Sequence, residues 1–507
     1  MTKMWLALWL VCLASSPSAR PRAIVQVRPS LRDAIASQDT GRLVLASSAG
    51  WDSLTIGDTS RVILRDANGS ALPASKGHVR WSVFNTNVVT IDSTGLLRAV
   101  SLGTATVVAR TPQGLATHVV TVVPFRFRLS QITTGMTGTC GITATGGAIC
   151  WGEWAGISFG PEHELPTRVN GPPLIDISVG MAYSCGVDRS GSLTCAGMNS
   201  GGQLGLGYAN MFASGVVHDA GLPAFRSVSA GVDYACGIAS DSTGYCWGTN
   251  DSGQVGAPSL HERCTPLSNQ APCTTIPLQL PPQYHFVDLV AGYYHTCGVL
   301  TDRSVVCWGD NGDGQLGDGT YKTSSTPVRV AGNVKFSSVT VGATHTCGVA
   351  VDGRGYCWGS NRLGELGVGD DTPTHNVPAP IVGGMRYLSL SATGTNSTCG
   401  LTQPHGVACW GLAEYSVVDS VDARDQCTDK AGRSVRCARQ PVAVADTHQF
   451  MFLGRSLGSA ICALDAEGRA FCWGFGSGNG SIHHCDDLPS PTLVGDGPIC
   501  AERVRVD

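Results

Sequence analysis

The sequence predicts an all-β protein in which a long array of stapled hairpin repeats follows a small β-sandwich. Three observations carry this. The 507-residue chain holds 65 glycines and is only 14% charged, well below the usual quarter. It has little of the Lys/Glu-rich sequence that builds long helices. Seven aligned segments after residue 125 each hold two cysteines ten positions apart. Between residues 42 and 123 that repeat is missing, and apolar and polar residues alternate with the period of a half-buried strand. The length calls for two or three folded units.

At the N-terminus, Lys3 precedes an apolar stretch from Met4 to Ala14, followed by the small and polar Ser15, Ser16, Ser18 and Ala19. This is the layout of a signal peptide over residues 1–19, with cleavage near Ser18 or Ala19. The stretch is too short to span a bilayer, and no later segment is apolar enough to be a transmembrane segment. The alternative is a lipid anchor at Cys12, although Val11 is not the small residue that a lipobox favours. Residues 20–41 read as a linker. Residues 42–124 read as a small antiparallel sandwich, with strands in Thr59–Leu64, Val79–Val83, Val88–Asp92, Gly95–Val100 and Gly103–Ala109. Turns such as Asp66-Ala67-Asn68-Gly69 separate them.

The repeat pairs are Cys140 with Cys150, Cys185 with Cys195, Cys236 with Cys246, Cys297 with Cys307, Cys347 with Cys357, Cys399 with Cys409, and Cys462 with Cys472. Their first members lie 45 to 63 residues apart, the period of propeller blades and other arrays. In the segment from Cys347 to Cys357 apolar residues flank Asp352-Gly353, a hairpin signature. A symmetric hairpin sets the two cysteines opposite each other, where Cα atoms are about 4.5–5.5 Å apart, within reach of a disulfide. Such a staple closes a loop of about ten residues and contributes about 2–3 kcal/mol in the chain-entropy model.

Six cysteines remain besides Cys12, and they form local pairs: Cys264 with Cys273, Cys427 with Cys437, and Cys485 with Cys500. Many connectivities are open to twenty cysteines, but neighbour pairing leaves only Cys12 over. The 21 cysteines show no short C-x2-4-C metal spacing, so an oxidising compartment is expected: secreted, periplasmic or cell surface.

Around each pair a longer pattern recurs. Leu289-Val290-Ala291-Gly292-Tyr293-Tyr294-His295-Thr296-Cys297-Gly298 is one instance, completed by Cys307-Trp308-Gly309-Asp310-Asn311-Gly312-Asp313-Gly314-Gln315-Leu316-Gly317. The pattern closely resembles the regulator of chromosome condensation repeat, whose hallmark is W-G-x-N-x-x-G-Q-L-G followed later by A-G-x-x-H-x. The resemblance covers residues 125–507. It implies a seven-bladed β-propeller, here of a secreted bacterial branch. The copies are unequal. Ala196 replaces Trp in the second. The G-Q-L-G element is clear at Gly202–Gly205 and Gly314–Gly317, approximate at Gly253–Gly256 and Gly364–Gly367, and missing from the first, sixth and seventh copies. Glu502–Val506 resembles a repeat-opening strand and is expected to close the ring. The run from Trp81 to Ala109 resembles the bacterial Ig-like domain of group 2, a spacer and adhesion module.

Chemistry is sparsely signalled. His295 and His345 sit two residues before a repeat cysteine, where other copies have Tyr183, Tyr234 and Ser397, so both read as blade-packing positions. Asp310–Gly314 lacks the register of a calcium loop and coincides with the repeat's own turn. His483-His484-Cys485-Asp486-Asp487 is the densest ligand-like cluster, but a disulfide between Cys485 and Cys500 withholds the thiolate. No G-x-S-x-G, H-E-x-x-H or P-loop motif occurs, so no catalytic residue, metal ligand or cofactor is assigned. A net charge of −4 gives no case for nucleic acid. The expectation is a non-catalytic binding protein. Its connecting insertions 257–280, 413–440 and 478–500, each with its own cysteine pair, meet an extracellular protein or glycan. Enzyme inhibition is a special case with precedent in the family. The resemblance also implies a second reading, guanine-nucleotide exchange on a small GTPase, which the signal peptide and disulfides oppose. A third is an extracellular enzyme with a site built from propeller loops.

Overall fold

The computed structural model describes residues 44–47, 53–55, 59–65, 71–72, 79–100, 103–112, 114–123, 127–152, 163–217, 221–264, 271–394, 396–413, 425–444, 448–474 and 488–494. Every element of regular structure among them is a β-strand. The chain divides into two compact units that meet in sequence at Val122 and Val123.

The first unit consists of two sheets. One orders Val44–Ser47, Thr59–Arg65, Leu96–Ala99 and Val89–Ile91, with Ala71–Leu72 on Thr59–Arg65; the other orders Ser53–Thr55, Gly114–Val123, Gly103–Thr111 and Arg80–Phe84. Alternation decides what is buried: Val62 and Leu64 point inward while Arg61 and Arg65 stay exposed, as the two-residue period of a strand requires. Val107, Ala109, Val120 and Val122 supply the buried side of the second sheet. The turn at Asp92–Gly95 is held by Asp92, whose Oδ1 accepts the backbone N–H groups of Thr94 and Leu96 at 2.8 and 2.9 Å. Gly95 has φ +82°, and a Cβ there would lie 3.2 Å from the Trp81 ring. Glycine therefore satisfies both the left-handed backbone and the close approach.

In the second unit the described residues form seven sheets of four or five strands. Each runs in sequence order: an opening strand, the two cysteine strands, then an outer strand. The opening strands are Leu129–Thr134, Leu174–Val179, Phe225–Ala230, Phe286–Ala291, Phe336–Val341, Tyr387–Ala392 and Phe450–Leu453. Their residues Thr133, Ser178, Ser229, Val290 and Thr340, together with Arg455, surround one small central cavity. The opening strands thus stand innermost.

A glycine follows each opening strand, and these seven glycines tie the sheets into a ring. A Cβ on Gly135, Gly180, Gly231, Gly292, Gly342, Gly394 or Gly458 would come within 3.1 Å of a carbonyl oxygen on the next sheet. The partners are Gly180, Gly231, Gly292, Gly342, Thr393, Leu457 and Gly135 in turn. The last contact closes the circle. Arg455–Ser456 also pairs in parallel with Thr133–Thr134, and Leu457 N–H donates to Thr134 O at 3.0 Å. Glu502–Val506, expected to serve as the closing strand, lies outside the described residues, as does the segment 1–41 with Cys12.

Because neighbouring strands within each sheet are antiparallel and the sheets repeat one order, the two ends of the ring differ. The turns between paired cysteine strands, such as 301–304 and 351–354, are short and come out at one end. The glycine turns and the long connectors from the second cysteine strand to the outer strand, such as 200–209, 310–323 and 361–373, come out at the other.

Candidate functional site

The loop-bearing end is held in place from the hairpins outward. In all seven sheets the repeat cysteines are register partners. Cys140 faces Cys150, Cys185 faces Cys195, Cys236 faces Cys246 and Cys297 faces Cys307. Likewise Cys347 faces Cys357, Cys399 faces Cys409 and Cys462 faces Cys472. Each pair has its sulfurs at bonding distance and its Cα atoms 4.0 to 4.1 Å apart. That is closer than the expected 4.5–5.5 Å of an unbridged pair, since the staple draws the strands together.

Two further pairs stand within connectors of the loop-bearing end. Cys264 meets Cys273 and Cys427 meets Cys437, at Cα separations of 5.8 and 5.9 Å. These are diagonal rather than opposite in register: Cys264 faces Ala271, Cys427 faces Val435, and Cys437 faces Asp425. Cys485 and Cys500 lie outside the described residues.

The connectors carry a second device. In the element beginning at Asn311, the side-chain Oδ1 of Asn311 accepts Leu316 N–H at 2.9 Å, and Gln315 Oε1 accepts Asp313 N–H at 2.9 Å. This folds the loop back so that the Gln315 main-chain carbonyl faces the next sheet. There it accepts both Trp358 Nε1–H at 3.0 Å and Thr346 Oγ1–H at 2.9 Å. Gln203 O receives Trp247, Gln254 O receives Trp308 and Thr296, and Glu365 O receives Trp410 and Thr398, all at 2.8 to 3.0 Å. The recurring Trp, Asn and Gln of the pattern thus form one latch between successive sheets.

The chain carries regulator of chromosome condensation repeats. Family models of this repeat match residues 244–299 and 304–349, and in a second form 286–315 and 336–365. The bacterial Ig-like domain of group 2 matches residues 65–122. Among curated proteins, the ultraviolet-B receptor UVR8 of Arabidopsis thaliana is 30% identical over 92 residues, which is 18% of this chain and 19% of that receptor. The chain therefore matches about a fifth of that relative's length. Among solved structures, Prp20p of Saccharomyces cerevisiae superposes with a TM-score of 0.57 at 20% identity, covering 73% of this chain and 87% of that one. Human WBSCR16 gives 0.55 at 18% identity, covering 71% and 93%. These likenesses show a propeller fold of the regulator of chromosome condensation type.

Within this repeat the histidines have a structural place. His295 Nε2 meets Thr346 Oγ1 at 2.8 Å and His345 Nε2 meets Thr398 Oγ1 at 2.9 Å, each on the following sheet. Tyr234 does the same with its hydroxyl on His295 O at 2.8 Å. Both imidazoles are fully buried. Burial pushes His295 down to about 3, with His345 adding to it, and His345 to about 4, so both are neutral near pH 7.

The remaining candidates are satisfied locally. Asp310 accepts Gln315 Nε2–H at 2.8 Å, and Asp313 pairs with Lys430 at 2.9 Å, so both carboxylates of the 310–314 turn have protein partners. His483–Asp487 lies outside the described residues. Glu262, Cys264 and Cys273 come together, but the two sulfurs are bonded to each other and Glu262 accepts Thr275 N–H at 2.9 Å.

Three features were not anticipated. Tyr293 reaches across the axis from the fourth sheet and donates to Leu457 O on the seventh at 2.9 Å. Arg455 crosses the same way to Asp288 at 2.6 Å. Arg362 and Glu365 line a cavity beneath the hairpin that carries Cys427 and Cys437. In sequence, the change from the common Gln to Glu365 is the one signal of the last.

Proposed function

We propose that this chain is a secreted or surface-attached, non-catalytic binding protein whose loop-bearing propeller end recognises an extracellular protein or glycan. One observation carries the reading: the long connectors share one end of the ring, and two of them are braced by cysteine pairs of their own. Among the described residues, the turns between cysteine strands at the opposite end, such as 301–304 and 351–354, are short. Loops ordered in advance lose less entropy on association, and varied loops on a rigid scaffold are where recognition concentrates. The same reading takes residues 1–19 as an export signal and the twenty mature cysteines as ten local disulfides.

The test is affinity capture with the exported protein against extracellular protein and glycan fractions. One variant has its 257–273 and 425–439 segments replaced by short linkers; another carries substitutions in the opposite turns at Arg303 and Arg354. A partner retained by the parent and by the turn variant, and lost from the linker variant, supports the reading. Retention that ignores the connectors overturns it. Disulfide mapping on the same material should find no free thiol; many free thiols in the native protein would reject export.

A further inference from the structure

The loop-bearing end holds a cavity of about 760 Å³ at the junction of the fifth and sixth sheets, a size ordinary for small-ligand sites. Its floor is the fifth sheet's connector, with Arg362, Leu363 and Glu365; Leu412 and Val435 supply apolar wall. The stapled hairpin of Asp425–Thr428 and Ser434–Ala443 covers it. Two contacts pin that hairpin to neighbouring connectors: Lys430 Nζ to Asp313 at 2.9 Å, and Arg439 Nη1 to Asp370 O at 3.2 Å.

One cationic side chain of this cavity is left without a partner. Lys430 is taken by Asp313 and Arg433 by Asp429 at 2.7 Å. Glu365 is buried, and its Oε2 accepts Leu363 N–H at 2.7 Å. Desolvation raises its pKa, with its hydrogen bonds opposing the rise and nearby Asp313 adding to it. Arg362 makes no hydrogen bond or ion pair with any described residue, and its Nε is buried without a partner. Arg362 is half-buried, so its Nε–H loses water without gaining a hydrogen bond, and its planar fork fits a carboxylate.

We propose that this cavity receives an acidic side chain of a peptide segment, its carboxylate on Arg362 and its stem and neighbours against Leu363, Leu412 and Val435. This rests on the reading of the loop-bearing end as a binding surface and names what one part of that surface takes. The experiment is calorimetric titration of the purified full chain with N-acetyl-Val-Glu-Ala-amide, its Gln counterpart and glutarate. The Glu peptide should bind, weaken as salt rises, and outbind the Gln peptide by about tenfold or more. Arg362→Met should lose about tenfold with an unchanged melting temperature, while Arg362→Lys retains part of the affinity. No binding at about 10 mM peptide, or unaltered binding by Arg362→Met, overturns the proposal. Glutarate binding as tightly as the peptide overturns the peptide source. If the titration fails while capture still depends on the connectors, the cavity assignment falls and the binding reading stands.

Discussion

The junctions in the middle of the repeat array are built differently from those at its ends. From the second sheet to the sixth, each junction is latched: a folded-back Gln or Glu carbonyl accepts the indole N–H of the next sheet's Trp. The first copy lacks the element that would present such a carbonyl, and the second copy has Ala196 where the Trp would be. The sixth copy also lacks it, and Trp473 Nε1 is buried without a partner among the described residues. Two departures in different copies are therefore one feature. The latch is a property of a pair of neighbours: at these two junctions, loss of the acceptor in one copy goes with a missing Trp (Ala196) or an unpartnered one (Trp473) in the next.

The largest effect that would test this contrast is Trp358→Ala, which empties a fully buried site and frees the Gln315 carbonyl. It should cost about 3–5 kcal/mol in urea unfolding. A cost under about 1 kcal/mol would mean that the latched junctions do not hold the ring.

The latch neighbours His295 and His345 sharpen the comparison through pH. Their folded pKa values lie far below the ordinary 6.5, so the stability they contribute is present above pH 6.5 and is lost as pH falls below it. By pH 5 the loss is about 2 kcal/mol per histidine. Asp233, raised by burial to about 6, works in the opposite direction over the same range, so the difference between proteins is the clean readout. Between pH 7 and 5, His345→Gln should lose about 2 kcal/mol less than the parent; equal losses would place the histidine's proton elsewhere.

Smaller and more discriminating is the pair Trp358→Phe and Trp473→Phe. The first leaves the Gln315 carbonyl short of a donor and should cost about 1–2 kcal/mol beyond packing. The second removes an unsatisfied N–H, so its cost should be lower by that amount. Equal costs in chemical unfolding would erase the distinction between latched and unlatched junctions. The smallest effect is expected at the axis. Arg455 is 45% exposed against 18% for Asp288, so solvent screens the pair, and Arg455→Met should change stability by about 1 kcal/mol or less.

Much of this protein was legible because its repeating unit is local. A ten-residue cysteine spacing around a turn centre such as Asp352-Gly353 sets the hairpin register without reference to the rest of the chain, and Cys347 faces Cys357 as the symmetric hairpin requires. The same spacing between Cys427 and Cys437 gives a diagonal pair instead, because that hairpin turns about a centre one residue earlier. The recurrence of His295 and His345 at one repeat position marked them as packing residues, and the structure puts both between sheets. Period-two alternation likewise announced the strands of the Ig-like domain. Arg362 was missed for the opposite reason: in sequence it is one more connector arginine. Only the hairpin of the next sheet, more than sixty residues on, turns its surroundings into a cavity.

The sequence by itself determined the strands, the hairpins, the repeat and its family, since each rests on interactions among residues close along the chain. Only the tertiary structure decided which end of the ring bears the connectors, that each latch joins two copies, and that Tyr293 and Arg455 cross the axis to partners on opposite sheets. Those contacts join residues from about forty to more than one hundred and sixty positions apart. They exist because closing a ring of sheets brings distant turns face to face, and no local periodicity records which turns will meet.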